Sequence, residues 1–468
     1  MKSRPVIKVS VLTVILLSAT LSLYSLDFGV YLDNSTSLTL SAAANQPATS
    51  FLQADKASLW FQSELGEYFD FRIQGSYSYS SDNMPYLFDI DRLTLTGRFP
   101  ITKEERRGAP GVVLPAIFSF SMGRFPFKDF SGYVLNHNLD GLKLSFGYPD
   151  FNTDIRFGYS GLLLKPTSSI YLSKEDVLDT ERSNVILASP RIIGMFTVNI
   201  PSLFRQSISL SVLFQEDLRN LFSSTLVKEG DQSFNPQDGG LVDTQYIGLG
   251  STGSIVPSLY YGTFAYLGTG RMLSYLADSG SATGYSYQYT GILSYMAGLR
   301  LRYFLSNFLD SYALVETLIA SGDATDNSIY EGNTDAVSEA FNPISNTGVA
   351  VVFSPVLKNM VSFKGEFSLK PLSVTGIYYL KDFQTQLRGY VFLRPTAGPI
   401  SESGLSPSSN SLYLGSEGDI IINWRPFSDL GISLNYGIFI PNNGQGGAFT
   451  ETERALEQKL LFKLSLSF

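Results

Sequence analysis

The chain has 468 residues, 34 Lys and Arg against 42 Asp and Glu, a net charge of −8, 44% hydrophobic residues and only 16% charged ones. An acidic chain offers no electrostatic footprint for nucleic acid. With one His and no Cys it cannot form a His/Cys zinc centre, a disulfide framework or a lipid-modified N-terminal cysteine.

The first 25 residues read as an export signal. Lys2, Arg4 and Lys8 precede an apolar run from Val9 to Leu23, long enough for a signal core and short of the roughly 18 residues that span a bilayer as a helix. Cleavage is expected after Ser25, with Leu23 a poor residue at the position three before the cut. Removing the segment takes away three bases and no acid, leaving 31 bases against 42 acids, or −11. No later segment is apolar for long enough to be a membrane helix. Yet charge falls well below the ~25% of ordinary soluble domains, and the chain holds 27 Tyr and 34 Phe. Apolar surface without spanning helices points to an all-β fold, a transmembrane antiparallel up-and-down β-barrel over 26–468, in which alternate residues face lipid.

From Leu26 onward, period-two segments recur: 69–79, 92–99, 118–123, 142–148, 154–159, 207–214, 299–303, 361–369 and 431–440. Each is close to the ~10 residues of a tilted membrane strand, or is the clearest part of one. The connections alternate in length. Short ones fall at 66–68, 149–152, 201–206, 305–310, 355–359 and 425–429. Longer polar ones fall at 42–55, 166–188, 217–243, 269–287, 322–346, 395–411 and 441–453. Short periplasmic turns and long outer loops sort in this way in outer-membrane barrels. The strand tally comes to 20, within a range of 18–20, and the basic stretch 102–110 forms one longer periplasmic connection. Phe69, Tyr148, Phe151, Phe204, Phe304, Phe308, Phe353, Trp424 and Phe427 lie at or beside the short turns, where an interfacial girdle belongs.

The sequence closes on "LFKLSLSF", in which Phe462, Leu464, Leu466 and Phe468 alternate with polar residues. This resembles the C-terminal targeting strand of bacterial outer-membrane proteins. The resemblance implies that the barrel assembly machinery reads the strand, which then seals the barrel against the first one. More loosely, 412–441 and 123–149 look like segments of alginate-export-type porins, and the Tyr, Phe and Ser content is similar to that of spirochaete outer-membrane barrels. The resemblance implies a porin-like outer-membrane protein and carries no substrate.

With lipid parity set by the apolar residues, the other parity faces the lumen. It carries Arg72, Arg92, Arg98, Lys143, Arg156, Arg300, Arg302, Lys364, Lys370, Arg388, Arg394 and Lys463. Fewer acids share it: Asp70, Glu366, Glu417, Asp419 and Glu316. In the strand holding Glu417, the residues Leu412, Leu414, Ile420 and Ile422 take the lipid side. Acids gather instead in the loops 217–243 and 322–346. One reading is a basic wall facing acidic loops at the mouth, which favours anionic solutes; the other is that the strand bases merely pair with neighbouring carboxylates. Segment 125–139, the third long connection, is a candidate for folding inward, by analogy with trimeric porins. His137 there is read as solvated.

No nucleophile elbow, phosphate loop or dinucleotide fingerprint is present, so no enzyme and no cofactor is expected. The expected function is passive diffusion of small polar, preferably anionic, solutes through a porin-like channel in the cell outer membrane. Two alternatives stay open: a surface adhesin or structural barrel, and a hydrophobic-solute transporter, for which Tyr390 and Phe392 are on the inner parity.

Overall fold

The computed structural model describes residues 26–81, 86–101, 116–222, 226–233, 240–326, 328, 330 and 337–468. The segment read as an export signal (1–25) and the basic stretch 102–110 read as a periplasmic connection lie outside them. Eighteen long antiparallel strands close into one barrel. In chain order they are β1 (Leu26–Ser41), β2 (Thr49–Leu65), β3 (Phe69–Ser80), β4 (Tyr86–Ile101), β5 (Ala116–Lys128) and β6 (Asn136–Tyr148). Then come β7 (Phe151–Tyr159), β8 (Arg191–Leu203), β9 (Gln206–Asp217), β10 (Val242–Val256), β11 (Leu259–Ala277) and β12 (Tyr285–Leu305). The wall is completed by β13 (Ser311–Ala320), β15 (Met360–Leu369), β16 (Gln384–Leu393), β17 (Tyr413–Phe427), β18 (Leu430–Pro441) and β19 (Glu457–Ser467). A two-residue strand, β14 (Val337–Ser338), pairs in parallel with the part of β12 that outruns β13.

Closure is made by β19 against β1, in register from Tyr31 opposite Ser467 to Ser41 opposite Glu457. Val30 and Phe468 exchange both backbone hydrogen bonds beyond that ladder, so no sheet edge is left to lipid. Alternation does the rest. On β10, Ile247 and Leu249 are 56% and 58% exposed, while Tyr246, on the opposite parity, is 1% exposed. Side chains of that size at that exposure suit lipid and would be a liability in water.

The strand number sits at the lower end of the expected range, two below the tally of twenty. The difference lies between β13 and β16. Residues 355–359, read as a periplasmic turn, belong to the long connection 321–359, and the true turn there is the 370–383 connection. Phe353 accordingly leaves the girdle and is fully buried. The other described short turns, at 66–68, 149–150, 204–205, 257–258, 306–310 and 428–429, hold two to five residues. They define the periplasmic end. Phe69, Tyr148, Phe151, Phe204, Phe304, Phe308 and Phe427 are exposed there. Trp424 donates its indole N–H to the Tyr379 carbonyl at 2.8 Å.

The main core lies inside the barrel. The loops 129–135, 160–190, 394–412 and 442–456, and residues 340–357 of the 321–359 connection, fold inward and pack on inward-facing Ile193, Met195, Leu213, Tyr246, Leu318, Phe392 and Phe439. A wall this wide cannot fill its lumen with wall side chains alone. Here the outer loops fill part of it. Leu414, assigned to the lipid side, is buried in this core; the pairing of β16 with β17 shifts register at Phe392/Leu393, beside Gly415 at φ 153°, and that irregularity turns Leu414 inward.

Candidate pore constriction

The 129–135 loop is organised by one carboxylate. Asp129 Oδ2 accepts N–H bonds from Ser131 at 2.8 Å and Gly132 at 3.2 Å, while Oδ1 accepts from Leu135 at 2.8 Å. The Tyr266 hydroxyl also donates to Asp129 Oδ2, at 2.8 Å. Tyr266 reaches it because its ring occupies the space over Gly248, where a Cβ would meet Cε1 at 2.1 Å. Phe130 stacks on the same ring at 5.1 Å. At the loop tip, Tyr133 donates to Glu316 Oε1 at 3.0 Å and stacks near Phe264 at 5.8 Å. Burial raises the Tyr133 phenol above its ordinary range. The third outer loop therefore does fold inward. His137 is not solvated: it lies on β6, its Nδ1–H donates to the Asn138 carbonyl at 2.8 Å, and its Nε2 accepts the Ser169 N–H at 2.8 Å.

The 160–190 loop carries a short helix, α1 (Lys174–Glu181), with Ser173 and Asp176 forming a capping box. Asp176 bonds Arg191 at 2.7 Å, Arg191 reaches Asp217 at 3.1 Å, and Asp217 holds Arg219 at 2.7 Å. All four are buried. Burial works against ionisation of Asp176, but Arg191 and Arg219 outweigh it and hold the carboxyl down to about 2. Lys165 closes the other end of the helix, donating to the Asp179 carbonyl at 2.9 Å.

The 321–359 loop is clamped by Glu417. Its Oε1 accepts the N–H groups of Val351 at 2.9 Å and Val352 at 2.7 Å, and its Oε2 accepts that of Phe353 at 2.7 Å. The Phe353 ring then stacks on Phe439 at 4.4 Å and meets Phe392 edge-on at 4.9 Å. The Arg454 guanidinium caps Phe353 at 4.9 Å. Tyr390 and Phe392 face inward as expected, and both are buried beneath this loop. Asp419, 2% exposed, stands in register opposite Arg388.

What the loops leave open lies along β1–β4 and β17–β19. A cavity of about 790 Å³ at the periplasmic side is lined by Asp33, Ser35, Lys370, Asp382, Asn423 and Lys463. A second, of about 600 Å³, lies between β1–β3 and the 160–190 loop and is lined by Asp33, Lys56, Ser78, Thr167, Tyr171 and Thr180. The two meet at Asp33 and Ser35 on the inner face of β1. A third, of about 360 Å³, continues from Lys56 and Thr167 towards Asp91, Arg124 and His137. Lys56 is paired with Asp91 at 2.9 Å, and Arg124 with Asp89 at 3.1 Å and Asp140 at 2.8 Å. The lining of this third cavity is polar, and its Lys56, Asp89, Asp91 and Arg124 are matched in pairs.

The bases singled out in the sequence gather lower down. Arg72, Arg98, Lys143, Arg156, Arg300, Arg302, Lys364, Arg388 and Lys463 each stand three to five residues from the periplasmic end of their strand, about 10–17 Å along it. Arg92 sits nine residues up. Three carboxylates are shared within this belt. Asp154 takes Arg156 at 2.9 Å and Lys143 at 3.5 Å; Glu366 takes Lys364 at 2.7 Å and Arg388 at 3.0 Å; Glu316 takes Arg300. Among the described residues, Arg72, Arg92, Arg98, Arg302 and Lys463 have no carboxylate within 4.0 Å. Arg72 lies over the Trp60 ring at 5.4 Å and Arg302 over Tyr312 at 5.1 Å. Arg394 instead donates to three loop carbonyls, those of Ser411, Gly398 and Ser409, at 2.8, 2.7 and 2.6 Å. No group of three or more metal-ligating side chains occurs among the described residues.

Sequence reasoning missed the clamps and the core they serve. The available signal was apolar character on both parities in "GYVFL" (389–393) and "GIFI" (437–440), which marks wall covered on both sides.

Neither protein-family models nor curated proteins gave a match to the chain. Solved structures did. Pseudomonas aeruginosa OccK5 (OpdH) is similar at 13% identity and a TM-score of 0.50, over 94% of this chain and 98% of that one. P. aeruginosa OccK2 (OpdF) is similar at 12% identity and a TM-score of 0.51, over 94% and 98%. P. aeruginosa OccK1 (OpdK) follows at 9% identity and a TM-score of 0.51, over 94% and 99%. With its closed eighteen-strand wall and in-folded loops, the chain has the fold of a porin-like outer-membrane β-barrel.

Proposed function

We propose that the protein is an outer-membrane channel through which small polar, anionic solutes diffuse passively, and that it catalyses no reaction. The observation that carries this reading is the periplasmic belt of nine inward bases, in which five share three carboxylates and, among the described residues, the other four have none within 4.0 Å. An excess of Arg and Lys in a low-dielectric passage raises the local concentration of anions and lowers that of cations. The linked cavities along β1–β4 and β17–β19 supply the path. OccK2 has also been solved in complex with glucuronate, and a carboxylate solute would suit the charge sense of the belt. The reading includes export by the 1–25 signal with cleavage after Ser25, and recognition of Phe462, Leu464, Leu466 and Phe468 by the assembly machinery.

Refolded protein in a planar bilayer under a salt gradient should show steady unitary currents and a reversal potential of the anion-selective sign. A cation-selective sign would refute the solute class. Silence from correctly folded protein would favour the adhesin reading.

A further inference from the structure

Apolar residues cover the lipid side of β1 and β2 rung by rung. The register pairs Phe28 with Phe61, Val30 with Leu59, and Leu32 with Ala57. The next two rungs on the same face are Asn34 with Asp55 and Thr36 with Gln53. Apolar rungs then resume with Leu38 opposite Phe51. On the flanks, Asn34 and Thr36 stand opposite Leu464 and Phe462 of β19, and Asp55 stands opposite Tyr79 of β3. The polar rungs therefore form an island with apolar lipid-facing side chains below it, above it and on its β19 flank, while on the β3 flank Gln53 stands beside Ser81. Three apolar rungs below it occupy roughly 20 Å of strand, so the island lies within the apolar band and not at its periplasmic rim. Exposed Leu40 and Phe51 stand above it.

The island holds a carboxylate. Asp55 Oδ1 accepts the Asn34 amide at 2.5 Å and Oδ2 accepts the Gln53 amide at 2.8 Å. The Thr36 hydroxyl donates to Asn34 Oδ1 at 3.4 Å. Each carboxylate oxygen accepts a single side-chain bond and keeps acceptor capacity to spare, and each amide keeps a second N–H. Hydrocarbon offers nothing to either, which makes a lipid-facing ionisable side chain costly unless something else covers it.

We infer that the β1–β2 face is a contact surface for a second copy of this chain, built around the Asn34–Asp55–Gln53 island. The patch carries donors and an acceptor together, which is what a self-complementary contact needs. An amide of one copy can fill the open lone pair of Asp55 in the other, so that amides separate the two carboxylates. Ala57, beside the island, is small enough for the walls to approach closely, and Leu32, Leu38 and Leu59 extend the contact with apolar area. Interprotein hydrogen bonds inside the bilayer would have no water to compete with them.

The chain contains no cysteine, so one introduced thiol reports on the face directly. Ala57→Cys in lipid bilayers should form a disulfide-linked pair on mild oxidation, while Val315→Cys, on the lipid face of β13, should stay monomeric. The triple variant Asn34→Leu, Gln53→Leu, Asp55→Leu in the Ala57→Cys background should fold and lower cross-linking at least tenfold. The inference is overturned if Ala57→Cys remains monomeric, if Val315→Cys cross-links equally, or if the triple variant cross-links undiminished. Capture of a different membrane protein by this face would overturn it too.

Discussion

Replacing Glu417 with alanine removes the acceptor of three N–H groups at once: those of Val351, Val352 and Phe353. Hydrogen bonds to a charged acceptor are worth about 1.5–3 kcal/mol each, and a buried donor left alone costs about 1–3 kcal/mol. Over three bonds the clamp should therefore lose roughly 5–9 kcal/mol, enough to make local opening of the loop the cheapest unfolding event in the lumen. The ring of Phe353 opposes release, since it still stacks on Phe439 and Phe392. Its removal as Phe353→Ala should cost a further ~3–5 kcal/mol. Glu417→Gln makes a graded control. Its one remaining oxygen can keep the two bonds now made to Oε1 and loses the Phe353 bond, so about a third of the effect is expected. In planar bilayers Glu417→Ala should show larger and noisier unitary conductance than the parent, with Glu417→Gln between them. Limited proteolysis should nick the 345–358 stretch in the alanine variant, while the barrel wall stays intact. Parental conductance together with parental protease resistance in Glu417→Ala would show that this carboxylate does not hold the loop.

Arg302→Ser should lower anion preference with little change in gating, because among the described residues Arg302 has no carboxylate within 4.0 Å. Arg300→Ser should lower it further and add current noise, since it strands Glu316 and loosens Tyr133; reversal potentials and open-channel noise check both. The Asp176 carboxyl lies near 2 against an ordinary 3.8, a difference of just under two units, or about 2 kcal/mol. Because the folded value is depressed, that stabilisation is present above about pH 4 and disappears as pH falls towards 2. Amide protection factors in the 160–190 loop, taken relative to the intrinsic exchange rate at each pH, should fall over that window and stay level between pH 5 and 8. Phe468→Ala should reduce the amount of barrel assembled in cells while leaving the thermal stability of refolded protein nearly unchanged, because the side chain is 74% exposed and the closing bonds at Val30 are backbone. Equal losses in both assays would argue against recognition of the residue.

Period two made the wall legible. Segments such as 142–148 and 207–214 alternate cleanly because lipid and lumen impose opposite demands on neighbouring residues. The belt's positions follow the same rule: Arg300, Lys364 and Arg388 each come directly after an exposed apolar residue, Leu299, Phe363 and Leu387. Pairing was not, since Glu316 and Arg300 are brought together by strand register, and a single strand's pattern does not encode its register. The interior was harder still. Phe353 stands two residues before "PVLKN" (355–359), which reads as a turn, and it is the Glu417 carboxylate and the Phe392 and Phe439 rings, all from distant strands, that seat that segment in the lumen. Leu414 was misplaced because a bulge resets parity, and the one sign of it was a glycine.

Because the inner core is built from connecting segments lying on the wall, its docking surface does not exist until the wall does. Tyr246, Leu318 and Phe439 come from β10, β13 and β18, and curvature brings them to face one another only as the cylinder rounds. Seating of the loops is then a late event that follows closure, and its rate is set by a search within a confined, already hydrated volume. Refolding followed by tryptophan emission, with Trp60 on the bare side of the lumen and Trp424 on the rim, would register the ring closing before the inner contacts tighten. The same ordering leaves a window in which the freshly closed cylinder is wider and leakier than the mature one.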